Sequence, residues 1–253
     1  MAALFRRLML IPGRIRDGLV LAPAAKWTVC VCVCVYLIQR VCDRTVFTDG
    51  YTFGYLLLHV FGLCPPLLAH GFVWQVVTYM ALHGSWLHLA LNGLTILLFG
   101  SAVELEIGSR RFLRVLLLGG IVGGLSWAGF DLVLMRLSGA TLPGWLAAAV
   151  AHVVAQRSVL QDGMTICIGA SGGVFALIGA YAAIFPRRRV VLFVGWPLVM
   201  KARTVAILLG LSTVAFAIYG LGHVAYLTHL CGGLAGYGYG LRLAKAGWGD
   251  EDE

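Results

Sequence analysis

The sequence predicts an all-α polytopic membrane protein, a single bundle of six transmembrane helices with both termini cytoplasmic. Three observations predict it. Of the 253 residues, 60% are hydrophobic and 12% charged, a composition far from that of soluble domains. The apolar residues fall in blocks about 18–23 residues long, enough at about 1.5 Å per residue to cross a hydrocarbon core of roughly 30 Å. The charges are also distributed asymmetrically between the two sides those blocks define.

The blocks read as spans over roughly 22–41, 86–105, 112–134, 164–185, 203–221 and 224–243. With the N-terminus inside, fifteen of the 19 Lys and Arg fall on the inner side, among them Arg110, Arg111, Arg114, Arg187, Arg188, Arg189, Lys201 and Arg203. Four fall outside: Arg40, Arg44, Arg136 and Arg157. That is a strong positive-inside bias. The net charge of +8 therefore reports topology and implies no nucleic-acid partner.

Residues 1–21 form a cytoplasmic flank, and their arginines belong to it rather than to a transit peptide. Residues 22–243 form one domain. Its outer segment 42–85 has apolar stretches too short to span and is expected to lie in the interface, which suits Trp74 and Tyr79. A second outer segment, 135–163, contains the apolar stretch 145–154, read as a surface helix. A very short loop near 220–223 joins the last two spans, and 244–253 is an acidic cytoplasmic tail.

The seven cysteines have no metal-ligand spacing. Cys30, Cys32 and Cys34 alternate along a helix and cannot converge on one ion. Cys42 and Cys64 share the outer side, a placement compatible with a disulfide. No metal or organic cofactor is implied.

Polar residues inside spans are costly, so each is a functional candidate. His88 and Asn92 lie one turn apart in span two, Ser171 lies in the uncharged run 164–185, and His229 lies in span six. All three spans run from outside to inside, which puts these four residues at one depth, of order 5–10 Å below the outer boundary. Gly232, Gly236 and Gly240 repeat every four residues on the face of His229, and small residues let helix backbones approach closely. If the partner helix carries Ser171, Gly172 and Gly179, the serine and the imidazole come within hydrogen-bonding reach, as nucleophile and base. His88 and Asn92 would then supply donors for a developing oxyanion, alongside the Ser171 N–H.

With these residues in place, the chain resembles the rhomboid family of intramembrane serine proteases. The resemblance rests on His83-x4-His88-x3-Asn92, Gly169-x-Ser171-Gly172 and His229-x2-Gly232-x3-Gly236, in order on spans two, four and six, and covers about residues 20–243. It implies Ser171 as nucleophile and His229 as general base, in a dyad without a carboxylate. It also implies His88 and Asn92 at the oxyanion site, His83 in loop order, and Glu104 as a polar anchor near Arg110 and Arg111. Two positions depart from the family pattern. Gln75 follows Trp74 where arginine is common, and Phe175 stands one turn after the serine where tyrosine is common. Phe175 can still stack under His229 without offering a hydroxyl.

Each residue alone has a simpler reading. Ser171 fits helix packing, and His88 with Asn92 fits an interhelical clasp. Gly169-x-Ser171-x-Gly173 also matches a hydrolase elbow, but that motif requires a strand of a soluble α/β sheet. The conjunction favours catalysis. The expected function is cleavage of transmembrane segments of membrane proteins near the outer face, in a bacterial-type inner or plasma membrane. Substrates and lipid are the expected partners, and oligomeric state stays open. The alternative is a catalytically inactive relative that binds membrane clients. A transporter is disfavoured because the inner halves of spans four and six offer no polar path.

Overall fold

The computed structural model describes residues 22–48, 51–140, 143, 144, 147, 164–194, 196–219 and 225–249. The expectations for the N-terminal flank, the stretch 145–154 and the loop 220–223 fall wholly or mainly outside these residues. Among them, six helices have 14 or more residues: α1 Pro23–Cys42, α2 Trp86–Ile107, α3 Ser109–Ser138, α4 Ser171–Ile184, α5 Ala202–Tyr219 and α6 Tyr226–Lys245. Four of these, α1, α2, α3 and α5, are long and apolar enough to cross a membrane. Helix α4 has only 14 residues, and α6 carries five glycines together with Thr228, His229 and three tyrosines.

Helix α4 is the centre of the bundle. Twelve of its 14 residues are buried, all but Ser171 and Phe175, as expected of a helix apolar on every face. Helices α3 and α6 pack on it through glycines. A Cβ on Gly236 would lie 2.4 Å from the Ala176 Cα, and one on Gly240 would lie 2.9 Å from the Ala180 Cα. A Cβ on Gly119 would lie 2.1 Å from the Ala176 Cβ. Any side chain at these positions would force the backbones apart.

The expected span over 164–185 is corrected. Residues 164–170 are not helical, and α4 begins at Ser171. At about 1.5 Å per residue its 14 residues reach only ~21 Å, short of a bilayer core. Non-helical backbone at such depth is tolerated where protein satisfies it. Here Leu63 and Cys167 exchange backbone hydrogen bonds of 3.0 and 2.9 Å, and Gly169 N–H donates to the Tyr79 carbonyl at 2.9 Å.

The outer segment folds into defined elements. Strands β1 (Val46–Thr48) and β2 (Tyr51–Thr52) pair antiparallel, and the short helices Phe53–Phe61, Pro65–Ala69 and Gln75–Thr78 follow. A second hairpin, β3 (Arg189–Val194) with β4 (Trp196–Lys201), joins α4 to α5. The all-α class is thus amended by two small hairpins in a largely helical molecule. The β-branched run Val190-Val191 within β3 is the sequence signal for the second.

Glu104 holds the start of α1. Its carboxylate accepts from Ala24 N–H at 2.9 Å, Ala25 N–H at 2.8 Å and the Ser109 hydroxyl at 2.6 Å. Pro23 occupies the first turn, where a missing N–H costs nothing. Glu104 is therefore a polar anchor that caps a helix across 80 residues of sequence. At the far end of the chain, Trp248 lies 4.7 Å from the Arg111 guanidinium, and Gly249 N–H donates to Glu106 at 2.9 Å.

Candidate active site

Ser171 owes its position to Gly169. That glycine has φ +116°, a conformation L side chains rarely adopt, and it turns the extended approach into α4. A Cβ at 169 would lie 2.6 Å from His88 Cε1 and 3.7 Å from Asn92 Nδ2. The His88 ring and the Asn92 amide therefore lie against the backbone two residues before the serine. Because α4 starts at Ser171, the N–H groups of its first turn have no intrahelical acceptors. They form the positive end of the helix dipole. A serine seven residues into a continuous helix would not have this setting.

His229 reaches the serine from α6. Its Nε2 lies 2.7 Å from Ser171 Oγ, a distance at which the hydroxyl donates to Nε2 when the imidazole is neutral with its proton on Nδ1. The Phe175 ring stacks on the imidazole at 4.4 Å between centroids and 5° between planes. Gly232 sits one turn along α6 from His229. A Cβ there would lie 2.3 Å from the Gly172 carbonyl oxygen, so this glycine sets how near α6 comes to α4 beside the serine. Gly172 is confined in turn, since a Cβ on it would lie 2.8 Å from Thr228 Cγ2 and 3.3 Å from the Tyr79 hydroxyl.

A chain of hydrogen bonds orients Asn92. The fully buried His83 donates from Nδ1 to the Ala81 carbonyl at 3.2 Å, and its Nε2 accepts from Asn92 Nδ2 at 3.1 Å. Gln39 clamps the His83 backbone, accepting its N–H at 3.0 Å. Burial, and second the neighbouring His88, lower the His83 pKa to about 4, so at neutral pH it stays the acceptor this chain requires. One Asn92 amide hydrogen is thereby committed to His83, and the other remains for the site. Ser85 caps α2 by accepting His88 N–H at 3.1 Å, which sets His88 in the first turn, its ring 5.1 Å from that of His83.

Three groups have structural roles that the sequence alone did not assign. Gln75 is fully buried; its side chain accepts from Cys64 N–H at 3.1 Å and donates to the His59 carbonyl at 2.7 Å. A neutral amide thus ties two parts of the outer segment together without a charge. Gln39 carries no motif, and only its place in an apolar span marks it. Asp131, buried in α3, accepts from the Thr165 hydroxyl at 2.5 Å and ties the approach to Ser171; an acid inside an apolar helix was the available signal. Cys42 and Cys64 are not joined in a disulfide. Among the described residues no group of three His, Cys, Asp or Glu converges as a metal site.

Chemically, the arrangement offers a hydroxyl paired to an imidazole, with amide and imidazole donors and a helix N-terminus grouped beside it. Among the described residues no carboxylate hydrogen-bonds His229. The family model for the rhomboid domain matches residues 70–246. Over 58 residues the chain is 38% identical to the putative rhomboid protease YdcA of Bacillus subtilis (strain 168), covering 23% of this chain and 29% of that protein. Over 60 residues it is 42% identical to the rhomboid protease GluP of the same organism, covering 24% of this chain and 12% of that protein. The aligned stretches span less than a third of either relative.

Proposed function

This chain belongs to the rhomboid family, and on that premise we propose that it is an intramembrane serine endopeptidase working through a Ser171–His229 dyad. The observation that carries the reading is the 2.7 Å contact between Ser171 Oγ and His229 Nε2. Six spans with cytoplasmic termini, the four helices named above together with α4 and α6, would put that contact near the outer face of a plasma-type membrane.

In this reading Ser171 Oγ attacks a scissile carbonyl carbon while His229 Nε2 takes its proton. Charge develops on the carbonyl oxygen, and the Ser171 N–H, Asn92 Nδ2 and His88 are grouped to receive it. Collapse breaks the C–N bond, His229 protonates the leaving amine, and an acyl-enzyme remains on Ser171. Water then attacks the acyl carbon, with His229 again as base. Stacking on Phe175 holds the imidazole plane, so that Nε2 stays aimed at Oγ throughout. A substrate helix must unwind locally to present its carbonyl, because its backbone groups are otherwise paired.

The test is cleavage of a fluorescent transmembrane peptide by the purified chain in liposomes. Wild type cuts it, while Ser171→Ala and His229→Ala do not, with melting within a few degrees of wild type. Cleavage by Ser171→Ala would end the reading. An inactive wild type that still binds the peptide would favour a non-proteolytic client-binding protein.

A further inference from the structure

The β3–β4 hairpin takes no part in the serine chemistry, yet its charge arrangement calls for a ligand. Its register pairs Arg189 with Lys201, Val190 with Met200, and Val191 with Val199. Opposed residues share a face and successive pairs alternate. Val190, Leu192 and Met200 pack on the core, so the other face carries Arg189, Lys201, Val191 and Val199. Arg189, Lys201 and Val199 are exposed on it.

Like charges directly opposite on a ladder repel, and among the described residues no carboxylate pairs with either of them. The chain has no Asp or Glu between Asp162 and Asp250. Among the described residues Arg189, Lys201 and Arg203 have no ion-pair partner. Lys201 and Arg203 also stand at the N-terminal end of α5, where the helix dipole disfavours cations and favours an anion. Two independent electrostatic penalties thus meet at one spot. That spot lies at the end of a helix apolar enough to cross a membrane, beside an exposed valine. Cations grouped with aliphatic side chains at a span end suit the level of lipid headgroups.

We propose that this face of the hairpin docks anionic phospholipid, with the headgroup phosphate between Arg189, Lys201 and Arg203 and Val199 against the glycerol–acyl boundary. The site lies at the end of α4 opposite Ser171, and so is separate from the proposed dyad. The proposal rests on the membrane-spanning reading but not on proteolysis, so lipid binding and activity fail independently.

The test is native mass spectrometry of the full chain from neutral detergent supplemented with equal phosphatidylglycerol and phosphatidylcholine. At about fivefold in partitioning per cation, wild type should retain phosphatidylglycerol at least tenfold over phosphatidylcholine. Arg189→Gln/Lys201→Gln should lose most of that preference. Arg189→Glu is the control for folding, since it turns the repelling pair into an attractive one. It should melt no lower than wild type in neutral detergent and still lose the lipid preference. Undiminished preference in Arg189→Glu, equal retention of both lipids by wild type, or equally effective competition by soluble glycerophosphate would each overturn the proposal.

Discussion

Gly232→Ala should separate the serine from its base. In the native packing a Cβ on Gly232 would sit 2.3 Å from the Gly172 carbonyl oxygen, 3.0 Å from the Gly172 carbonyl carbon and 3.1 Å from the Gly119 carbonyl oxygen. All three are backbone atoms, so no side chain can swing aside. Restoring an ordinary contact of 3.4 Å requires α6 to retreat from α4 by about 1 Å, since two close-packed helices have little slack. His229 is on the same helix face one turn away, and its 2.7 Å contact with Ser171 would open beyond hydrogen-bonding range. A misplacement of about 1 Å at reacting groups costs roughly 10²-fold in rate. Gly238→Ala provides the matched control: nothing lies within 4 Å of its Cβ, and alanine gains up to about 1 kcal/mol of helix propensity. The assay is peptide cleavage in liposomes beside thermal unfolding in detergent. Gly232→Ala should lose about two orders of magnitude in kcat, and Gly238→Ala should keep its rate and melt no lower. Equal rates in wild type and Gly232→Ala would refute the claim that this glycine sets the dyad distance.

Three further outcomes follow from the hydrogen bonds. Gln75→Ala removes the hydrogen bonds to Cys64 N–H and the His59 carbonyl, at about 1 kcal/mol each, so thermal unfolding in detergent should show a drop of a few degrees; an unchanged melt would mean the outer segment does not depend on this tie. Glu104→Gln keeps the shape but loses the charge that accepts two helix-end N–H groups and the Ser109 hydroxyl, so stability should fall by about 1–3 kcal/mol with kcat per folded molecule unchanged. His83, whose pKa is lowered from 6.5 to about 4, binds its proton more readily in the unfolded chain, so it contributes stability that is complete above pH 6.5 and is lost as pH falls from there toward 4. In a pH series of unfolding, His83→Gln, which can still accept from Asn92, should flatten part of that slope.

The dyad candidates were legible because the bilayer makes them so: a serine, two histidines and an asparagine inside apolar spans are expensive, and the glycines at intervals of four marked the close helix contact. The start of α4 was not legible. Residues 164–170 are as apolar as the helix they precede, and only the pairing of Cys167 with Leu63 and the φ of Gly169 separate them. Glu104 could be seen as an intramembrane acid, but its cap on α1 bridges 80 residues that no local pattern connects. Gln75 looked like a missing charge because the amide's two partners lie 11 and 16 residues away in a segment without periodicity. The β3–β4 hairpin has valines that suit strands, but the all-α expectation placed no element between the spans there.

The most direct measurement of the central claim is intact-mass analysis of the chain after exposure to a fluorophosphonate, followed by peptide mapping. A serine activated by His229 should take up one phosphonyl group on Ser171, and His229→Phe, which keeps a ring against Phe175 but removes the base, should slow labelling by about 10²-fold or more. Labelling at another residue, or labelling of Ser171 at an undiminished rate in His229→Phe, would contradict the dyad.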